Sequence, residues 1–185
     1  MINEALSETE SRMQGAIRAY EEELAGIRTG RASPALVERI DVDYYGTPTP
    51  LQQLASISVP EPRMLMIKPF DPGSLQDIER GIQSSDLGLT PTNDGKIIRL
   101  TIPALTEERR IDLVKLVKTR AEEARVAVRN VRRDAQNDLR EYEHEKLISE
   151  DDLHTGEEKL QQLTDHYIDQ INDLGEKKEA EVMEV

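Results

Sequence analysis

The chain has 185 residues, a formal net charge of -13 and no cysteine. That length holds one ordinary domain or two small ones, and the missing cysteine excludes a disulfide framework, a thiol nucleophile and a thiolate metal site. One Phe, five Tyr and no Trp leave any core aliphatic, and a charged fraction of 33% is carried most easily on solvated helix faces.

The first residues do not read as a secretory leader, because Glu4, Glu8 and Glu10 interrupt any apolar run. No stretch approaches the ~20 apolar residues that a bilayer span needs. A soluble, cytoplasmic protein with no membrane partner is expected. Along the first segment Leu6, Met13, Ile17, Tyr20, Leu24 and Ile27 recur at mostly three, four or seven residues, which is one stripe of a helix. Ser7 with Glu10 has the form of a capping box, with an earlier start as the alternative.

The next segment changes character. All nine prolines lie between Pro34 and Pro103. The runs 40–45, 54–59, 64–68 and 96–102 have strand composition, 46–50 and 60–62 read as turns, and 74–84 has helical spacing through Leu75, Ile78 and Ile82. Asn93-Asp94-Gly95 is a turn before a strand.

A long helix is expected over 106–147, with the stripe Val114, Val117, Ala121, Ala124, Val128, Val131, Ala135, Leu139 and Tyr142. Its alternation of threes and fours is close to a 3.5 repeat, as in left-handed helix packing. Thr106 suits its N-cap, and Glu107 and Glu108 suit the positive end of the dipole. A last helix begins near Glu150 behind the cap Ser149–Asp152, with the stripe Leu153, Leu160, Leu163, Tyr167, Ile171 and Leu174. Residues 176–179 read as its fraying end. The link at Ile148 and Ser149 makes these two helices antiparallel neighbours.

Three helices with one apolar stripe each cannot stand alone, so the expected fold class is α+β. It combines an elongated three-helix bundle (1–29 and 106–185) with an inserted small α/β domain (30–105). The insertion requires two crossings of the chain, at 28–34 and 103–106. These make a two-strand hinge at Arg28, Gly30, Arg31, Pro34, Pro103 and Thr106 the expected joint.

Enzyme signals are weak. His144, His154 and His166 show no metal spacing, and no metal or cofactor is expected. The stretch Gly88 to Lys96 departs from a phosphate loop, with Thr90 where the first glycine belongs and Ile97 where the hydroxyl residue belongs. Glu150-Asp151-Asp152 is explained by helix capping.

Charge is the sharper signal. Residues 109–140 carry ten basic and five acidic side chains, whereas 141–185 carry four and fifteen. Such asymmetry can make a local anion-binding surface while the acidic remainder limits non-specific binding. Arg125, Arg129 and Arg132 fall on one helical face with Arg133 beside them, and Val128 and Val131 turned inward imply that the arginines point outward. The bland alternative is a solvated face paired with acidic neighbours such as Glu122 and Asp134. The functional one is a phosphate-binding stripe, extended by Arg109 and Arg110 with Arg28 and Arg31. Few aromatics for stacking on bases favour contact with an RNA backbone.

Several stretches then resemble the ribosome recycling factor family. They are Ile27-Arg28-Thr29-Gly30-Arg31-Ala32-Ser33-Pro34, Tyr44-Tyr45-Gly46-Thr47-Pro48-Thr49-Pro50-Leu51, Ser85-Asp86-Leu87-Gly88-Leu89, Leu105-Thr106-Glu107-Glu108-Arg109-Arg110 and Arg125-Val126-Ala127-Val128-Arg129-Asn130-Val131-Arg132-Arg133-Asp134. The resemblance implies a hinged L shape that mimics transfer RNA. It also implies a monomeric, non-enzymatic factor that binds the large ribosomal subunit and not DNA. With elongation factor G and GTP, such a factor splits the post-termination ribosome. By motif match the ribosomal RNA contacts fall on Arg129 and Arg132, with Arg110 and Arg133 nearby and Arg125 on the same stripe. The run Asp134-Ala135-Gln136-Asn137 departs from the family's usual Asp-Ala-Asn. The rival class is an adaptor that binds another protein through its acidic helix; its binding would be insensitive to salt, whereas phosphate binding weakens as salt rises.

Overall fold

The structure, a computed structural model, describes residues Met1–Glu184. It divides into two compact units, one built from Met1–Arg28 and the chain from Thr106 onward, the other from Thr29–Leu105.

The first unit is a bundle of three helices, α1 (Ile2–Ala25), α3 (Glu107–His144) and α4 (Glu150–Met183). α1 starts well before Ser7, whose side chain makes no cap. Thr106 caps α3 by accepting from the Arg109 N–H at 3.1 Å. α3 ends on a left-handed Lys146 (φ 61°), where the Leu147 N–H returns to the Tyr142 carbonyl and the Lys146 N–H to that of Glu143. That paired closure satisfies carbonyls that the helix end would otherwise orphan. Ser149 and Asp152 then close a reciprocal capping box, at 3.0 and 3.2 Å, and launch α4 in the opposite direction.

The stripes meet as the spacing predicts only in part: on α4 Leu160, Tyr167 and Ile171 are buried, whereas Leu153, Leu163 and Leu174 stay half-exposed and Gly156, Thr164 and Gly175 are buried beside them. Met13, Ile17, Tyr20, Leu24 and Ile27 are buried, and so are Val117, Ala121, Ala124, Val128, Val131, Ala135 and Leu139. At the start of α3, however, Leu113 is buried rather than Val114, which stays half-exposed. α4 does not fray at 176–179. It runs on to Met183, with Val182 fully buried and Lys178 held by Glu181 at 3.7 Å. Burying one such aliphatic side chain stabilises the fold by about 1.5–3 kcal/mol, enough to hold the last turns. Small residues let the helices approach closely. A Cβ on Gly175 of α4 would lie 3.0 Å from the Tyr20 hydroxyl oxygen of α1. Among the described residues no helix is long and apolar enough to cross a membrane.

The second unit holds a hairpin, β1 (Asp41–Tyr44) with β2 (Thr47–Pro50), and a four-stranded antiparallel sheet. The sheet strands are β3 (Ala55–Glu61), β4 (Met64–Pro69), β5 (Thr92–Asn93) and β6 (Ile98–Thr101), in the order β3-β4-β6-β5. The short α2 (Leu75–Gln83) buries Leu75, Ile78 and Ile82 in an aliphatic core with Val42, Leu65, Ile67, Ile98 and Leu100. The expected turn at 46–50 is in fact a two-residue turn at Tyr45-Gly46, both at positive φ, followed by strand β2. Pro48 and Pro50 are tolerated because a two-stranded ribbon leaves outward N–H groups without a ladder to serve. β5 is too short to show an alternation, so composition alone does not reveal it.

Candidate nucleic-acid interface

The arginines sit on α3 because a heptad-like stripe fixes the angular position of every other residue on that helix. Arg125 and Arg132 are seven apart, so both fall at the edge of the seam with α4. Arg129 and Arg133 lie further round toward solvent. The outward placement expected for all four therefore needs correction.

Arg125 is the most enclosed, its side chain retaining 23% exposure. Its Nε and Nη2 grip Glu122 Oε2, both at 2.9 Å, and its Nη1 donates to Asn172 Oδ1 of α4 at 2.9 Å. Arg132 is half-buried and donates from Nη1 to Gln161 Oε1 of α4 at 3.1 Å, while its Nε is buried with no hydrogen-bond partner. Gln161 is in turn oriented by Asp165 at 2.8 Å. The same seam continues with Arg140 on Glu157 at 3.0 Å.

Arg129 and Arg133 are exposed. Arg129 reaches Glu122 Oε1 only at 3.5 Å, and Arg133 donates to the neutral side chain of Asn130 at 2.9 Å. Asp134, expected to offset the stripe, is instead engaged by Arg12 of α1 at 3.0 Å. The arginine face thus keeps most of its positive charge although the chain as a whole is acidic. Arg110, seven residues before Val117, continues the stripe rather than the outer face. It is half-buried and its Nε has no hydrogen-bond partner. Inside the bundle, burial raises the Tyr20 phenol above its ordinary pKa, assisted by Glu179 and Glu23 and opposed by Arg125.

The expected hinge residues are placed individually. Arg28 closes the first unit and is exposed. Gly30 takes φ 76°, a region where any other residue is strained, and a Cβ there would press on Leu105 Cγ at 3.2 Å. Arg31 and Pro103 are exposed, whereas Pro34 opens a single helical turn capped by Ser33 and Thr106 belongs to the cap of α3. Among the described residues no group of three or more His, Asp or Glu side chains is placed to hold a metal ion.

The profile of the family described as Ribosome recycling factor matches residues 20–183 of this chain. The chain belongs to the ribosome recycling factor family. Ribosome recycling factors from Halalkalibacterium halodurans and Roseiflexus castenholzii are 59% and 57% identical to it over 185 residues, the whole of each chain. A solution structure of a ribosome recycling factor superposes with a TM-score of 0.76 at 48% identity, covering all of this chain and 98% of that one. A second structure, TM-score 0.64 and 44% identity over the whole of both chains, is the T. thermophilus ribosome recycling factor. It is described together with the E. coli elongation factor G bound to the E. coli post-termination complex. Ribosome recycling factors are non-enzymatic translation factors, and the helical unit with a small antiparallel-sheet unit is their α+β fold.

What the linear sequence missed is the α4 side of the arginine face. Asn172 and Gln161 orient two of its guanidinium groups, and Glu157 holds Arg140 further along the same seam. The signal was present only coarsely, because counting back from the α3–α4 turn brings those residues to within about one turn of Arg125, Arg132 and Arg140.

Proposed function

We propose that this protein works in the cytoplasm as a monomer and binds the large ribosomal subunit after termination. With elongation factor G and GTP it then dissociates the post-termination complex into subunits for reuse. The observation that carries the RNA contact is the arginine face of α3. Arg129 and Arg133 stand in solvent with weak or neutral partners, and Arg125 and Arg132 are oriented by α4 beside them. Guanidinium forks match phosphate oxygens, and the face offers no aromatic ring for base stacking, so it suits backbone contact. Arg110 extends it toward the start of α3. The inserted unit is the part that moves when the translocase acts, with bending at Arg28, Gly30, Arg31 and Pro103. Pro34 and Thr106 stiffen the two ends of that joint.

The test is subunit splitting followed by light scattering on model post-termination ribosomes. Scattering is expected to fall only when this protein, elongation factor G and GTP are all present. The variant carrying both Arg129→Glu and Arg133→Glu should bind large subunits on the order of a hundredfold more weakly, because two charge-assisted contacts are lost. Those positions make a cleaner test than Arg132, whose reversal would also disturb the seam with Gln161. Unchanged affinity in the double variant, with its helix content intact, would remove the arginine face from the mechanism.

A further inference from the structure

Glu122 stands one turn before Arg125 and two turns before Arg129, exposed, and one carboxylate engages both arginines. Its Oε2 takes the Nε–Nη2 fork of Arg125 at 2.9 Å, and its Oε1 lies 3.5 Å from Arg129 Nη1. That is the arrangement in which two non-bridging oxygens of a phosphodiester would meet two arginines. The other two arginines of the face are held differently, Arg132 by the amide oxygen of Gln161 and Arg133 by that of Asn130. A neutral amide orients a guanidinium without cancelling its charge. Glu122 is the acidic group on this face that does cancel charge.

We propose that Glu122 is a resident phosphate mimic, an internal competitor that the RNA backbone must displace from Arg129 for full binding. This rests on the RNA-binding reading of the face. The geometry says which arginine exchanges. Arg125 has partners for Nε, Nη1 and Nη2, one of them on α4, and stays where it is. Arg129 is held by a single long contact and trades it for a phosphate. The consequence is a deliberately moderated affinity. Acidic flanks repel RNA at a distance, and Glu122 weakens the hold at contact, which suits a factor that must leave the subunit after each round.

The experiment uses the full chain and purified large ribosomal subunits, with affinity and dissociation rate measured across a series of potassium chloride concentrations. Glu122→Gln keeps shape and hydrogen bonding but removes the charge. It should bind roughly two- to fivefold tighter at low salt, the size of an exposed ion pair that no longer competes. The slope of log affinity against log salt should steepen by up to about one, because in the wild type the displaced Glu122 takes up a cation that offsets one released from the RNA. The gain should shrink when Arg129→Gln is also present. Tighter binding with a steeper slope, lost in the double variant, supports the proposal. Unchanged or weaker binding by Glu122→Gln, while Arg129→Gln alone weakens binding, overturns it and leaves the RNA-binding face standing. If Arg129→Gln alone changes nothing, the mimic and the role of Arg129 in the RNA contact fall together.

Discussion

Gly175 lies inside the C-terminal third of α4, where glycine costs a helix about 1 kcal/mol relative to alanine, and it faces the hydroxyl of Tyr20. The Gly175→Ala methyl would lie 3.0 Å from that oxygen and 3.9 Å from the Ala121 Cβ. Tyr20 is only 1% exposed, so its ring has little room to retreat. Overpacking of this kind costs about 1–3 kcal/mol, which outweighs the propensity gain and leaves a net loss of about 1 kcal/mol. The Tyr20 hydroxyl makes no hydrogen bond, so Tyr20→Phe alone forfeits none and should be neutral or slightly stabilising. With Tyr20→Phe in place the clashing atom is gone, and Gly175→Ala should change sign to a gain of about 1 kcal/mol. Urea unfolding of the wild type, both single variants and the double variant, followed by far-ultraviolet circular dichroism, reads the coupling directly. A Gly175→Ala effect of the same size and sign in both backgrounds would refute the close approach of α1 and α4 at this point.

Two further outcomes follow from burial and charge. Val128 is fully buried at the centre of the α3 stripe. Val128→Asp should destabilise the bundle by about 4 kcal/mol or more, visible as a large drop in the helical melting temperature, whereas an unchanged melt would displace Val128 from the core. Asp94 has its carboxyl lowered to about 2, chiefly by the Ile97 and Lys96 backbone N–H groups and then by Arg99. A lowered folded pKa stabilises the fold above the ordinary carboxylate pKa, about 4, and the contribution disappears as pH falls through about 2. Asp94→Asn should therefore flatten the acid loss of protection between those limits, read by amide hydrogen exchange in β6. An unchanged acid profile would show that the turn does not depend on the charge.

The bundle was legible because its determinants are local and periodic. The Ser149–Asp152 capping box, the Thr106 cap and the run from Val117 to Leu139 each state their structure within a few residues. The exceptions have physical causes. Leu113 and Val114 are adjacent apolar residues, and near the end of a stripe spacing alone does not decide which turns inward. Residues 176–179 look like a polar fraying end because their anchor, Val182, lies further on. In the insert, 46–50 reads as a turn from sequence because two prolines are strong turn signals in isolation, whereas Thr47–Pro50 is a strand. A two-stranded ribbon is the setting in which they are harmless. The arginine face was legible in composition and spacing but not in its partners. Whether Arg132 points to water or to Gln161 depends on the register of α4, which is a tertiary fact.

That register bears on how the face works. An arginine immobilised on binding loses up to about 2 kcal/mol of side-chain entropy. Arg125 and Arg132 are already held by Asn172 and Gln161, so that loss is taken during folding, where the bundle core offsets it. Arg129 and Arg133 have partners only on α3 itself, Glu122 at 3.5 Å and Asn130 at 2.9 Å, and stand in solvent where those contacts can be exchanged. A face with two guanidinium groups braced across helices and two exposed ones recognises the spacing of a phosphate backbone while tolerating variation in its local path. The neutral amides of α4 serve this better than carboxylates would, because they orient without competing. The acidic residues of α4 that do lie near the seam, Glu157 and Asp165, bond to Arg140 and to Gln161 itself rather than to Arg125 or Arg132. An acidic helix can therefore support a basic face, provided its amides and not its carboxylates meet the arginines.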